Sequence, residues 1–206
     1  RVSASDGKIT TVVGKCTNSA NKGDGGPAVN ACLYHPTHFT MNAAGEWFIV
    51  DHGNNLIRKV DSNGDISTVV GGGSIVGDGA ATSVKLNAPM NIDFTPTGEM
   101  LIAEYYGAVI RKVDSSGYVT IIAGGGSGYT EKADAKTVLL KPGFVAFTPR
   151  SGILIGDQNY RISQLYSECG GVMGDQPFVC SGHGYCIATN QCHCVDGWTE
   201  ADCSKT

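Results

Sequence analysis

Short apolar runs separated by polar turns recur along the chain, and they predict β-strands. The tract from Leu56 to Asp61 (LIRKVD) returns from Val109 to Asp114 (VIRKVD), with apolar residues on either side of an Arg-Lys pair. Each tract leads into a run rich in Thr, Val and Ile that ends in glycine, at residues 66–71 and 119–124, and a similar run covers residues 9–14. Such runs, bounded by Gly, Asn, Asp and Pro, are typical of antiparallel strands. No segment keeps a 3.6-residue apolar period, so we expect very little helix.

The spacing of these runs indicates an internal repeat. Pro36, Pro89 and Pro142 lie 53 residues apart. Each precedes a series of strand-like runs, four in a complete repeat, and the third repeat is the most degraded. A fixed period of this length predicts stacked sheets arranged radially rather than one closed core. We expect apolar residues at matching repeat positions to be buried between the sheets. The candidates are Trp47, Ile49, Phe94, Leu101, Phe147 and Leu154.

The composition limits the range of protein classes and partners to consider. The chain has 206 residues and a formal net charge of −4, which gives no electrostatic reason to expect nucleic acid or an anionic membrane as a partner. No stretch approaches the roughly 20 apolar residues of a membrane-spanning helix, so we expect no membrane insertion in this segment. The chain begins at Arg1 without an export signal, and we interpret it as a processed or partial chain.

The cysteines are even in number and unevenly placed. Cys16 and Cys32 lie near the start, whereas the other six lie in the last 38 residues: Cys169, Cys180, Cys186, Cys192, Cys194 and Cys203. An even count in a short, loop-rich tail predicts a disulfide framework and therefore an extracellular protein. The alternative is a zinc site at residues 192–194, but paired CxxC spacing is absent there. Spacing alone leaves 15 possible pairings among the six cysteines of the tail.

Two stretches resemble known families. Residues 36 and 45–61 (P, then GEWFIVDHGNNLIRKVD), with the GDGGPA loop at residues 23–28, resemble an NHL repeat. The resemblance covers about residues 7–166 and implies a domain over residues 1–166, made of three four-stranded propeller blades at about 7–63, 64–116 and 117–166. We therefore expect an all-β fold with an incomplete propeller. The tail, residues 167–206, resembles an EGF-like module. That resemblance implies the pairs Cys169–Cys186, Cys180–Cys192 and Cys194–Cys203, which leaves Cys16 to pair with Cys32.

Few residues form a pattern typical of a catalytic or metal site. Asp51, Glu104 and Asp157 recur at one repeat position and could form an axial ring of carboxylates around a cation. We favour the simpler interpretation that each acid bonds backbone amides of the adjacent turn. The histidines do not recur at matched positions, and no nucleophile–base grouping is evident, so we expect no catalytic residue, metal site or cofactor.

The inventory of strands suggests a function. Three blades are too few to close a propeller, whose usual range is four to eight. The run Ile9-Thr10-Thr11-Val12-Val13 is a fourth-type strand without preceding partners, whereas the third repeat runs into the tail without a fourth strand. We therefore expect this run to add to the third blade of another copy. The rival interpretation is truncation, in which missing upstream repeats complete an ordinary propeller within one chain.

This reading predicts a non-enzymatic, self-assembling subunit of a surface filament or matrix, with other copies of itself or other extracellular proteins as partners. The combination also resembles surface, matrix and flagellar-hair proteins of protists. The first alternative is a ligand-binding ectodomain fragment of an adhesion receptor. The second is a secreted propeller enzyme.

Overall fold

The protein folds into three antiparallel sheets that stack as propeller blades. A computed structural model describes residues 7–16, 23–129, 133–148 and 152–165, together with the backbone of four short strands between residues 168 and 194. Across these residues the structure is β-sheet with three short 3₁₀ turns, Ala28–Asn30, His52–Asn54 and Ala135–Thr137. The all-β fold class is therefore confirmed. Among the described residues, no helix has the length and apolar character required to cross a bilayer.

The first and second blades have the same plan. Each is a five-stranded sheet in which four long strands form a meander and a two-residue strand pairs with the last of them. The first blade contains β1 (Gly26–Pro27), β2 (Pro36–Met41), β3 (Trp47–Asp51), β4 (Leu56–Val60) and β5 (Asp65–Gly71). The second contains β6 (Gly79–Ala80), β7 (Pro89–Phe94), β8 (Met100–Glu104), β9 (Val109–Val113) and β10 (Tyr118–Gly124).

The third blade is smaller. Among the described residues it has three strands in the order β11-β12-β13: β11 (Pro142–Thr148), β12 (Gly152–Asp157) and β13 (Arg161–Leu165). Two short hairpins follow, formed by β14 (Glu168–Cys169) with β15 (Val172–Met173) and by β16 (Gly184–Ala188) with β17 (Gln191–Cys194). The three disulfides expected in the tail lie outside the residues whose side chains the structure describes.

The core lies between the blades because successive side chains of a strand point to opposite sides of its sheet. On β3, Phe48 and Val50 face the second blade and pack with Ile92 and Ile102. On β8, Leu101 faces the third blade and packs in a cluster with apolar residues of β11 and β12. Each neighbouring pair of blades therefore shares one apolar layer.

The predicted core residues are buried to different degrees. Ile49 and Leu101 are buried, whereas Trp47, Phe94, Phe147 and Leu154 are only partly buried. Phe94 lies at the end of β7, where the layer meets solvent, and it packs edge-on against Phe48. Its removal should therefore cost less than the 3–5 kcal/mol typical of a fully buried aromatic side chain.

Two features of the elements bear on these expectations. In residues 9–13 the structure assigns an isolated bridge at Ile9 and a bend at Val12 and Val13, not an extended strand. β-propensity does not make a strand until a neighbouring strand supplies hydrogen bonds and packing. The repeat boundary drawn at 63/64 falls in the turn between β4 and β5 of one sheet, because a period fixes the length of a repeat and not its starting point.

Candidate docking faces at the two ends of the blade stack

The stack ends in two sheet surfaces that no described blade covers. The surface of the first blade that points away from the second is here called the leading face, and its side chains are Phe39, Met41, Trp47 and Ile49. The surface of the third blade that points away from the second is called the trailing face, and its side chains are Phe144, Leu154 and Ile162. These assignments follow from the ladders, since residues paired across neighbouring strands lie on the same side of a sheet.

Phe39 on the leading face occupies a position that is buried in the other two blades. It pairs with Ile49, as Ile92 pairs with Ile102 in the second blade and Val145 with Ile155 in the third. Ile92 is 1% exposed and Val145 is 2% exposed, whereas Phe39 is 67% exposed. The difference arises because a blade lies against Ile92 and against Val145, and no described residue lies in the same way against Phe39.

A groove of about 480 Å³ crosses the leading face. Its walls include Phe39, Trp47 and Ile49 from the sheet, Leu33 from the loop that enters the sheet, and Val13 from the segment before that loop. Large apolar side chains at the mouth of such a groove are typical of a site that binds another apolar surface.

The trailing face also has an exposed apolar side chain at a position that is buried in the other blades. Ile162 pairs with Gly156, as Ile57 pairs with Val50 and Ile110 with Ala103. Ile57 and Ile110 have no exposed surface, but Ile162 is 71% exposed. Phe144 lies across Gly156, where a side chain would collide with the aromatic ring. Without a side chain at Gly156, the Phe144 ring can lie flat on the sheet and extend the apolar surface.

Residues 14–16 attach the start of the chain to the leading face. The amide of Cys16 donates to the carbonyl of Ala31 at 3.4 Å. The same bond links the end of each complete blade to the loop that enters the next blade, from Gly73 to Val84 at 3.1 Å and from Gly126 to Val138 at 3.0 Å. The segment before the first blade is therefore held as the end of a preceding blade would be.

A disulfide fixes this segment further. The Cys16 and Cys32 sulfurs are bonded, and their Cα atoms are 4.7 Å apart. The Cys16 amide and the Cys16 side chain thus both hold residues 14–16 against the loop that enters β2.

The three repeated acids lie at the ends of β3, β8 and β12, the second long strand of each blade. Each accepts a hydrogen bond from the loop that enters its blade. Asp51 accepts from the Tyr34 amide at 2.7 Å, Glu104 from the Asn87 amide at 2.6 Å, and Asp157 from the Lys141 amide at 3.2 Å. Each acid also pairs with an arginine: Arg58, Arg111 and Arg161, respectively. These partners belong to the acid's own blade, so each carboxylate holds its blade together locally.

Burial and hydrogen bonding act differently on the pKa values of these acids. Burial raises the pKa of Glu104 above its ordinary value, although Arg111 and the Asn87 amide favour the charged form. At Asp157 burial also favours the neutral form, but hydrogen bonds from Asn159, Arg161 and Lys141 outweigh it and lower the pKa. Glu104 shares its arginine with the carbonyls of Gly77 and Val76, whereas Asp157 receives several hydrogen bonds.

The buried arginines are the site residues that the sequence analysis missed. Arg58 and Arg111 are almost fully buried, although a charged residue on a strand ordinarily faces solvent. A signal existed, because Asp51 to Arg58 and Glu104 to Arg111 share a spacing of seven residues. In the third blade the arginine has moved, since Arg161 lies directly opposite Asp157 in the ladder and also contacts the ring of Tyr129.

Two family models match separate parts of the chain. Residues 5–78 match the teneurin NHL domain, and residues 175–203 match the EGF-like domain. The chain is 30% identical over 110 residues to teneurin-1 of Gallus gallus, an alignment that covers 50% of this chain and 4% of that protein. The chain therefore spans only a small part of this relative.

Solved structures show the same fold. An auxiliary nutrient binding protein from Bacteroides ovatus superposes with a TM-score of 0.57 at 21% identity, over 66% of this chain and 38% of that chain. A putative phosphatase from Bacteroides thetaiotaomicron gives a TM-score of 0.53 at 13% identity, over 66% and 35% of the two chains. At these identities the likeness concerns the fold alone. The two family matches fit an extracellular protein-interaction fragment. The chain thus combines stacked propeller blades similar to the teneurin NHL domain with a segment similar to an EGF-like domain, in an extracellular or cell-surface protein.

Proposed function

We propose that this protein is a non-enzymatic extracellular interaction subunit whose copies associate head to tail. In this arrangement the trailing face of one copy docks on the leading face of the next. The observation that carries the proposal is the exposure of Phe39, at a position where Ile92 and Val145 are buried by a neighbouring blade. A side chain of this size costs free energy when it remains in water.

The two end faces are suited to each other because each has the character of one side of an existing blade interface. The leading face corresponds to the side of the second blade that carries Ile92 and Ile102. The trailing face corresponds to the side of the second blade that carries Leu101 and Ile110. Sides of these two kinds already pack together twice within the chain, and the proposed contact would be a third example of the same packing.

The geometry of such a contact defines the assembly. A head-to-tail contact is heterologous, so it gives a ring if the rotation closes and a filament if it does not. Two copies with three blades each would form a six-bladed ring, within the usual range for propellers. We favour the filament, because the EGF-like tail is available as a second contact. The match to the teneurin NHL domain supports a protein-interaction role over an enzymatic one.

Sedimentation of face variants tests the proposal. We expect the unmodified chain to form oligomers as concentration rises, and Phe39→Asp and Ile162→Asp each to remain monomeric. Each variant keeps one intact face, so an equimolar mixture of the two should form a one-to-one complex. Val76→Asp serves as the matched control, because Val76 is exposed but lies on neither end face.

Two outcomes would overturn the proposal. If Phe39→Asp and Ile162→Asp assemble as well as Val76→Asp, the end faces do not mediate the contact. If the unmodified chain stays monomeric at high concentration, copies of it do not associate. The ligand-binding fragment of a receptor would then be the better interpretation.

A further inference from the structure

We infer that one edge of the blade stack binds an extended, neutral glycan made of β-linked pyranose sugars. The edge is formed by the turns that follow β3, β8 and β12, at residues 52–55, 105–108 and 158–160, and by the loops that enter β2, β7 and β11. It lies at the ends of the strands, away from the leading and trailing faces. It is here called the tyrosine edge, after Tyr34, Tyr105, Tyr106 and Tyr160.

Every described blade presents a tyrosine ring to solvent at this edge. Tyr34 of the first blade is 40% exposed, Tyr106 of the second is 72% exposed, and Tyr160 of the third is fully exposed. Tyr105 lies beside Tyr106, with the ring centroids 4.9 Å apart. Aromatic rings exposed together are typical of a binding surface, because each ring that remains in water costs free energy.

The tyrosines do not share one repeat position. With a repeat of 53 residues, Tyr34 corresponds to Asn87 in the second blade, and Tyr106 corresponds to Gly53 in the first. Tyr160 is the last residue of its own turn. The repeat therefore does not account for a ring in each blade, since each ring comes from a different position. What the blades have in common is a ring at the same edge, as a shared ligand would require.

Backbone hydrogen bonds hold these rings in place. In the first blade the Gly53 amide donates to the Tyr34 carbonyl at 2.8 Å. A side chain at Gly53 would collide with the Tyr34 ring, so the glycine lets that ring lie on the turn. In the second blade the Tyr105 amide donates to the Ala88 carbonyl at 2.9 Å. Because the turns are fixed to the entering loops, a ligand that covers the rings loses little affinity to the ordering of the backbone.

The polar groups of the edge favour a neutral sugar. Asn87 and Gln158 are exposed there, and an amide side chain both donates and accepts hydrogen bonds, as sugar hydroxyls also do. The turns at residues 52–55, 105–108 and 158–160 contain no Lys, Arg, Asp or Glu. The repeated acids beneath them are buried and paired with arginines. A pyranose ring adds an apolar C–H face, which contacts the face of an aromatic ring.

The arrangement of the rings on three blades predicts an extended ligand. Stacked sheets lie about 10 Å apart, so the rings of successive blades are separated by a comparable distance. This distance is close to the length of one disaccharide unit in an extended β-linked glycan, in which every second sugar presents the same face. A chain of about six sugars would therefore contact the rings of all three described blades. A curved α-linked chain would contact fewer of them.

Titration calorimetry with defined oligosaccharides tests the inference. The probes are the β-linked cellohexaose and chitohexaose, and the control is maltohexaose, which contains the same sugar as cellohexaose in α-linkage. We expect the chain to bind at least one of the two β-linked hexasaccharides, and to bind maltohexaose at least about tenfold more weakly. The trisaccharide of the β-linked probe that binds cannot span three blades and should also bind at least about tenfold more weakly.

Tyrosine variants locate the site. Tyr106→Ala and Tyr160→Ala should each weaken binding of the hexasaccharide about three- to tenfold, which corresponds to the free energy of one aromatic contact. Tyr118→Ala is the matched control and should leave the dissociation constant unchanged. Tyr118 is 47% exposed, but it lies at the start of β10, at the opposite ends of the strands. Thermal unfolding of each variant verifies that it is folded.

Several results would overturn the inference. It is wrong if neither cellohexaose nor chitohexaose binds, if maltohexaose binds as tightly, or if Tyr118→Ala weakens binding as much as Tyr106→Ala. It is also wrong if Tyr106→Ala abolishes self-association while no sugar binds, because the edge would then contact protein. The Phe39→Asp variant should bind the hexasaccharide as the unmodified chain does. Failure of the head-to-tail proposal and failure of this inference are therefore distinguishable.

Discussion

Phe39→Ala should have a small effect on folding and a large effect on association. Phe39 is 67% exposed. A phenylalanine side chain presents about 200 Å² of apolar surface, so roughly 130 Å² of Phe39 is open to solvent and about 70 Å² is covered. At about 25 cal/mol per Å², the covered part contributes less than about 2 kcal/mol to the folding of one chain.

The open part sets the expected effect on association. If the trailing face of another copy covers it, about 130 Å² of burial corresponds to roughly 3 kcal/mol. That free energy is equivalent to a dissociation constant weaker by about a hundredfold. Ile92→Ala is the matched comparison, because Ile92 is 1% exposed at the equivalent position. It should lower the free energy of unfolding by about 2–5 kcal/mol.

Two measurements on the same proteins distinguish these effects. Urea unfolding at low protein concentration reports the stability of the single chain, and sedimentation equilibrium reports the dissociation constant. The reasoning would be refuted if Phe39→Ala lowered the unfolding free energy of the dilute chain as much as Ile92→Ala does. It would also be refuted if Phe39→Ala left the dissociation constant unchanged, because the exposed phenyl ring would then not lie in the contact.

Three further substitutions test the interior of the blades. Arg58→Met should lower the free energy of unfolding by about 3–5 kcal/mol, because it leaves a buried carboxylate unpaired. Lys59→Met breaks a partly exposed ion pair and should cost at most about 1 kcal/mol. Denaturant unfolding compares the two variants. Gly73→Ala would place a methyl group 2.0 Å from the Ser83 carbonyl oxygen and should cost more than about 2 kcal/mol, whereas Gly77→Ala meets no atom within 4 Å and should change the thermal midpoint little. Asp157→Asn should be destabilising at neutral pH, and less so as pH falls below the ordinary aspartate pKa of 3.8. The reason is that the lowered pKa of Asp157 stabilises the fold only while the carboxylate is charged. If the difference in unfolding free energy between the two proteins did not shrink in acid, the assignment would be contradicted.

The repeated tracts made most of the architecture predictable. Each strand signal of the first two blades is local, since it depends on a few residues and the turn that ends them. The strands near Phe39, Ile92 and Val145 therefore appear where the sequence placed them, and each begins at its proline. The repeat period could not predict the exposure of these side chains. Equivalent positions have similar local sequence, but their neighbours in the folded chain differ.

The environment of the repeated acids was likewise predictable only in part. Their spacing predicted equivalent environments for Asp51 and Glu104, and each accepts a hydrogen bond from the entering loop. The partner arginines were not identified, because a charged residue on a strand ordinarily faces solvent. Arg58 is buried because the loop before the first blade folds over it and presents Asp24 to its guanidinium.

The sequence alone determined the order of the long strands, their grouping into repeats and the extracellular class of the protein, because these depend on local patterns and cysteine composition. Only the tertiary structure decided which apolar residues are covered, which charges are buried and whether residues 9–13 form a strand. Those outcomes depend on contacts between residues far apart in the chain. Residues 9–13 have the sequence of a strand, yet in the structure they form an isolated bridge at Ile9 and a bend at Val12 and Val13.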